Sequence, residues 1–577
     1  MSEHADRSLR SADWFEREDF DGFFHRSMLK TEGLTDEAFR GRPVIGIVST
    51  WSELTNCNVH LRALADHVRR GVLQAGGIAL ECPVLSLSEP LMKPTTMLYR
   101  NLLAMDVEES IAAHPFDAVV LLAGCDKTQP GCLMGAASAG VPALMVTGGP
   151  MLNGHWNGED LGSCSDCWRF YAQRRAGEMS AEEFNLLEGS IARSHGHCMT
   201  MGTASTMACV TEALGMMLPG GAAIPADDAR RRQHAERAGR RAVELARDGG
   251  PAPRDVLTPD AFHNAIRVLH ALGGSTNAVI HLLALAGRVG VELDLDRFDA
   301  LSETTPWLVD VRPSGKRLME DFYFAGGVPA LMRELSPLLA LDAPTVSGRS
   351  AGENVAAAEV LDASMIAPLE QPFSPTGGLV VLRGNLCPDG AILKRTATDA
   401  RLLRHEGPAL VFDGIADLDA RIDDPDLDVG PDSVLILRGG GPIGGPGMPE
   451  WGGLPLPAKL LREGVRDMVR ISDARMSGTS YGAVVLHAAP EAAVGGGLAL
   501  VRTGDTIRLD VDARRLDVLL DDAELERRRA AWRPPAPDAE RGFRRLYAEH
   551  VMQADRGCDF DFLLGHSAAR SEARTYG

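Results

Sequence analysis

Three cysteines of this chain stand in polar turns and not in apolar periodic runs. Cys57 lies in TNCNVH (55–60), Cys125 in GCDKTQPG (124–131) and Cys198 in SHGHCMTMGT (194–203). Thiolates at loop tips and helix starts ionise readily and make good soft-metal ligands. Three of them from distant turns suit a cluster that leaves one iron partly open, whereas electron-transfer clusters use four. Glu89, Asp126 and Glu450 add hard oxygen donors of the kind magnesium takes. Asp126 adjoins Cys125, so positive centres on either side would keep it ionised. Ser477, in ISDARMSGTS (471–480), sits in a turn followed by glycine. A serine works as a base only where nearby positive charge stabilises its alkoxide. Each of these residues alone has a blander role as a core thiol, a cap or a turn serine; together they bring soft and hard metal ligands to a small set of turns.

Other conspicuous residues carry less. Cys164 and Cys167 form a CxxC pair, but no second pair or histidine partner completes a zinc site, and an incidental pair is favoured. Cys82, Cys132, Cys209, Cys387 and Cys558 fall in or beside apolar segments and read as core thiols. The segment GGGPIGGPGMPE (439–450) must be a backbone-exposing loop, and it lacks the Lys-Ser/Thr of a phosphate-binding loop.

The elements that must position these residues alternate. Apolar strand runs at 42–50, 79–87, 116–123 and 142–147 are separated by helical repeats at 60–76 and around 97–113. Such alternation predicts an α/β domain, a parallel sheet with helices on both faces. Ligands bind beyond the carboxyl ends of such strands. The loop after the first strand carries Cys57, the loop after the second Glu89, and the loop after the third Cys125, Asp126 and Lys127. Residues 221–340 read as mostly helical, with 261–272 the clearest case. From about 375 short strand runs recur at 378–382, 409–412, 433–437, 469–471, 498–502 and 506–511, which predicts a C-terminal β-rich, barrel-like domain. The expected division is an α/β domain over 1–375 and a β-rich domain over 376–577 that carries Ser477. A last helix is expected over 522–532, its charges a solvated face.

The whole chain sets limits. Its 577 residues are 45% apolar and 24% charged, which suits a globular protein with a real core. A net charge of -20 argues against nucleic acid but not against a small anion met by local cations. No apolar run approaches the roughly 20 residues that cross a bilayer. The N-terminus is polar throughout, so cytoplasm is the expected compartment and the ten cysteines are expected to be reduced.

Taken with GGSTNA (273–278), the cysteine and serine segments resemble the family of dihydroxy-acid and sugar-acid dehydratases, over about residues 10–565. GPMLNG (149–154) and the RMSG form of the serine loop resemble its pentonate branch. The resemblance implies that Cys57, Cys125 and Cys198 ligate a [2Fe–2S] cluster, although spacing alone also fits an open [4Fe–4S]. It implies that Glu89, Asp126, Lys127 and Glu450 surround Mg2+, with Lys127 carbamylated. It makes Ser477 the catalytic serine and Thr479 a substrate-positioning neighbour. The expected reaction is loss of water from a sugar acid to a 2-keto-3-deoxy acid. Ser477 would take the C2 proton and the cluster would assist departure of the C3 hydroxyl. The expected partner is a small sugar acid, with no nucleic acid or membrane, in a homodimer or homotetramer. Competing readings are dihydroxy-acid dehydratase of branched-chain amino-acid synthesis, an iron–sulfur sensor, and a zinc protein built on Cys164 and Cys167. A phosphogluconate dehydratase is disfavoured because no added basic pocket is visible.

Overall fold

Four runs of aliphatic residues form a parallel sheet in the computed structural model, which describes residues 9–163, 165–536 and 539–565. They are β1 (Val44–Ser49), β2 (Ile78–Pro83), β3 (Ala118–Ala123) and β4 (Ala143–Thr147), in the order β2-β1-β3-β4. β1, β3 and β4 are buried at every residue, as a sheet covered on both faces requires, while the edge strand β2 is part-exposed. Five helices surround and extend this sheet: α1 (Leu61–Gln74), α2 (Arg100–Ala113), α3 (Thr128–Ala139), α4 (Thr203–Ala213) and α5 (Ala229–Asp248). The chain moves one way from β1 to β2 and the other way from β2 to β3. Right-handed crossovers therefore place α1 on one face and α2 and α3 on the other. α5 packs against α1 so closely that a Cβ on Gly71 would lie 2.0 Å from the Glu236 carbonyl oxygen, and one on Gly239 would lie 2.2 Å from that of Val68.

The helical stretch beyond is as expected. α6 (Pro259–Leu272) starts with Thr258 capping the Ala261 N–H and Pro259 in the first turn. It ends on Gly273 at φ +59°, the left-handed conformation glycine adopts freely. The GGST turn then leads into α7 (Asn277–Val289).

Eight strands make the C-terminal sheet: β5 (Leu379–Leu382), β6 (Gly390–Lys394), β7 (Arg404–Asp413), β8 (Val434–Arg438), β9 (Arg470–Ser472), β10 (Val484–Ala489), β11 (Thr506–Asp510) and β12 (Arg515–Val518). Their order is β12-β11-β7-β8-β9-β10-β6-β5, with β7 to β10 parallel and the flanks antiparallel. Just past β5, the Arg383 N–H donates to the Arg514 carbonyl (2.9 Å) and the Leu516 N–H to the Arg383 carbonyl (3.0 Å). That bridge nearly closes the sheet into a barrel, filled by Leu382, Leu393, Val411, Ile436, Ile471 and Val485. On the other side of the same strands, Leu379, Val381 and Ile392 join the core of the N-terminal domain. The two halves share apolar contacts.

Two expectations need correction. Residues 498–502 are not a strand: Gly497–Leu500 is a single 3-10 turn. Leu498, Leu500 and Val501 do fill the barrel, but the Ala499 N–H bonds locally to the Gly496 carbonyl (3.0 Å), so apolarity here reports burial and not pairing. In the final helix, Asp522–Ala531, Arg528 is not solvated; it turns inward to Asp505 and donates to the Leu500 carbonyl (2.9 Å). Cys164 lies outside the described residues, and Cys167 is half-buried on the helix Ser165–Ala176.

Candidate active site

The loops beyond β1, β3 and the segment before α4 bring the three expected cysteines together. Gly124 makes the first contact possible, because a Cβ there would lie 2.0 Å from the Cys57 carbonyl oxygen. Asn58 then knits the turns: its Oδ1 accepts from the Gly124 and Cys125 N–H groups (3.0 Å each), and its Nδ2 donates to Ser86 Oγ (3.0 Å) beyond β2. The third turn is tied in by Asn56, whose Nδ2 donates to the Gly196 carbonyl (3.3 Å) while the Gly196 N–H donates back to the Asn56 carbonyl (3.2 Å). Ser205 Oγ holds that turn through the Thr200 (2.7 Å) and Cys198 (3.1 Å) carbonyls. The Cys57 thiol is pushed well up by its contact with the Cys125 thiol, by burial, and by the charges of Cys125, Cys198 and Asp126. Three thiols drawn together, two of them buried and one half-buried, are a donor set that a cation would stabilise.

Beside them lies an ion cluster of half-buried carboxylates around a buried lysine. Lys127 has no solvent exposure; its ammonium donates to Asp126 and to Glu450 Oε1 (3.2 Å) and stands 3.4 Å from Glu89 Oε2. Glu89 is aimed by Thr95 Oγ1 (2.9 Å), the Thr96 N–H (3.1 Å) and the Thr96 hydroxyl. A second buried cation, Arg475, donates to Glu450 Oε1 (3.0 Å), the Met448 carbonyl (2.8 Å) and Thr95 Oγ1 (3.0 Å). Desolvation pushes the Glu89 carboxyl up despite Lys127, while at Glu450 the charges of Lys127 and Arg475 outweigh desolvation and hold the carboxyl low. Among the described residues no three Cys, His, Asp or Glu side chains are drawn in around a single metal-sized point. In the carboxylate pocket the reason is visible: the Lys127 ammonium sits between the acids. Three carboxylates converging on one cation form a donor set suited to a hard divalent ion. Cys125 Sγ is 3.5 Å from Asp126 Oδ1, so the sulfur and oxygen pockets adjoin.

Ser477 and Thr479 complete the set. Ser477 is part-exposed in a turn whose neighbours are buried. Its Oγ lies 2.7 Å from Thr479 Oγ1, and the Ser480 N–H donates to its carbonyl (3.0 Å). The turn presses on the N-terminal half: a Cβ on Gly478 would lie 2.5 Å from Ser275 Oγ and 2.7 Å from the Thr203 nitrogen. Asn277 bridges the rest, its Nδ2 donating to Thr203 Oγ1 (3.0 Å), Glu450 Oε1 (3.3 Å) and the Met476 carbonyl (3.0 Å).

The glycine-rich loop 439–450 exposes its backbone to its own protein. Asp473 accepts from the Gly439 (3.2 Å), Gly440 (2.9 Å) and Ala492 (2.9 Å) N–H groups. Glu491 accepts from Ile443 (2.9 Å), Gly444 (2.8 Å) and Gln553 Nε2 (2.9 Å). The loop thereby holds Glu450 at its end. Sequence reasoning missed Asn58, Thr95, Asn277 and Arg475 as site residues. The available signal was a polar residue inside a glycine-rich motif: Arg475 precedes MSG, and Asn277 ends GGSTN.

The chain also matches known proteins over nearly its whole length. The N-terminal profile of dihydroxy-acid/6-phosphogluconate dehydratases matches residues 42–354, and the C-terminal profile matches residues 364–558. The chain belongs to the dihydroxy-acid/6-phosphogluconate dehydratase family, whose members are hydro-lyases. It is 51% identical to the L-arabonate dehydratase of Azospirillum brasilense, covering 98% of this chain and 99% of that one. It is 50% identical to the 6-deoxy-6-sulfo-D-gluconate dehydratase of Pseudomonas putida, covering 97% of each. It is 40% identical to the D-xylonate dehydratase of Caulobacter vibrioides, covering 98% of this chain and 97% of that one. No helix among the described residues is long and apolar enough to cross a membrane.

Proposed function

We propose that this chain dehydrates a sugar acid to its 2-keto-3-deoxy acid, with a pentonate such as L-arabinonate as substrate. The observation that carries the reading is a thiol trio adjoining a cluster of half-buried carboxylates around the buried Lys127, with Ser477 part-exposed in the turn bonded to the same Asn277. Cys57, Cys125 and Cys198 would hold a [2Fe–2S] cluster; Glu89, Asp126, Glu450 and a carbamylated Lys127 would hold Mg2+. Bound there, the two centres supply Lewis acidity, one toward the C3 hydroxyl and the other toward the carboxylate and C2 hydroxyl. Carbamylation would join the Lys127 Nζ to the carbon of carbon dioxide and release two protons, one from the ammonium and one from the N–C bond-forming amine, converting the cation that fills the pocket into an anionic oxygen donor.

The chain's own residues do the rest. Ser477 Oγ removes the C2 proton, and Thr479 Oγ1, 2.7 Å away, fixes the direction in which that oxygen points. Arg475 keeps Glu450 ionised and in place. The relatives named above support a sugar acid over the smaller, more apolar substrate of branched-chain synthesis. A sensor reading leaves the carboxylates and Ser477 without a task. We extend the proposal to a homodimer or homotetramer, which light scattering measures directly.

The test is a semicarbazide assay for 2-keto acids on anaerobically purified protein, offered pentonates, hexonates, a C6-sulfonated hexonate and dihydroxyisovalerate. Fastest turnover on a pentonate is expected. Preference for dihydroxyisovalerate would move the protein to the branched-chain reading, and no keto acid from any of them would end the proposal.

A further inference from the structure

Glu450 and Ser477 come from the barrel half, yet the side chain that joins them comes from the other half. Asn277, fully buried at the start of α7, directs one amide nitrogen at three acceptors: Thr203 Oγ1, Glu450 Oε1 and the Met476 carbonyl. A carboxylate and a peptide carbonyl can only accept, so chemistry sets the amide's orientation. Glu450 Oε1 also receives Lys127 (3.2 Å) and Arg475 (3.0 Å); carbamylation would remove the Lys127 donor and leave Asn277 and Arg475 on that one oxygen. Among the described residues no hydrogen bond reaches Glu450 Oε2. The carboxylate is therefore clamped through one oxygen and presents the other. The Met476 carbonyl that shares the same nitrogen belongs to the residue before Ser477.

We propose that Asn277 is the positioning residue that locks Glu450, as a one-oxygen metal ligand, to the turn that aims Ser477. The inference rests on the dehydratase reading for the identity of those two arms. A shift of either arm must break or stretch a bond to the same nitrogen, so the hard-metal arm and the proton-abstracting arm keep one spacing.

Two variants of the intact, cluster-loaded enzyme separate a donor from a space filler. Asn277→Leu keeps the volume and removes the donor; Asn277→Ser loses volume and keeps a hydroxyl donor. Mn2+ binding is followed by electron paramagnetic resonance, alongside kcat and KM. Loss of such an outer partner costs about 10–100-fold in metal affinity or activity, so Asn277→Leu is expected to raise the Mn2+ midpoint by about tenfold or more. It should also lower kcat with KM little changed, and Asn277→Ser should lie nearer the wild type on both measures. The inference is overturned if Asn277→Leu retains more than Asn277→Ser, or if neither variant moves the Mn2+ midpoint. Wild-type protein that forms no keto acid, with a midpoint that still shifts in the variants, would sink the reaction and leave the clamp standing. Normal wild-type turnover with an unmoved midpoint would do the reverse, and wild-type protein that binds no Mn2+ would sink both.

Discussion

An alcohol is a feeble base in water, and in the proposed reaction Ser477 would gain its use from what surrounds it: a partner hydroxyl at 2.7 Å and the buried Arg475 guanidinium held on the neighbouring Glu450. Its replacement by alanine is expected to leave the brown absorbance intact and to lower kcat by roughly 10²–10⁴-fold, the usual worth of a placed base. Near-normal turnover would exclude it. Replacing Cys57, Cys125 or Cys198 by serine is expected to abolish both colour and activity; full turnover in iron-free protein would contradict that. That the candidate residues converge could be anticipated from the sequence because each is a reactive side chain in a turn. Arg475 and Asn277 could not. Their roles depend on burial and on acceptors 25 and 173 positions away in the chain, which no local pattern records.

At the scale of elements, the strands that escaped sequence reading were short or irregular. β6 is five residues following Pro388-Asp389, and β10 carries a register shift around His487, which sits at φ +58°. The N-terminal strands were read readily because a sheet buried on both faces writes near-continuous aliphatic runs. Two glycines test how elements meet. Gly124→Ala would place a methyl 2.0 Å from the Cys57 carbonyl oxygen, so this variant is expected to purify with little or no cluster absorbance. Cluster content equal to wild type would show that the loops can part without consequence. Gly71→Val forces α1 away from the α5 backbone, and overpacking of this kind costs about 1–3 kcal/mol or more. A lower Tm with the cluster retained is the expected result, because this contact lies on the helix-covered face and away from the strand ends that carry the site.

Across the whole molecule, several imidazoles are buried as neutral rings. Burial lowers His234 and His487 to about 3 and His270 to about 4, and His281 well below its ordinary value. Below about pH 6.5 the unfolded chain binds a proton at each of them that the folded chain refuses. Their contribution is therefore present above that pH and is lost as pH falls toward 4. Thermal unfolding between pH 7.5 and 5 should show a steep loss of stability, made shallower by His487→Gln; an identical slope in that variant would remove His487 from the account. Glu491, raised to about 7 by burial and by Asp473, works in the opposite sense, since its protonated form suits the folded state as pH falls.

Lys127 and Glu450, 323 positions apart, occupy one ion cluster, and that has a consequence for how the polypeptide can be cut. If the chain were severed between residues 355 and 375 and the fragments made separately, the first would carry all three site cysteines and two of the acids but not Ser477, and the second the serine and one acid but none of those three cysteines. Neither fragment alone should turn over substrate. Mixing them should regain activity only as the shared apolar seam re-forms, so reconstitution would depend on the product of the two fragment concentrations.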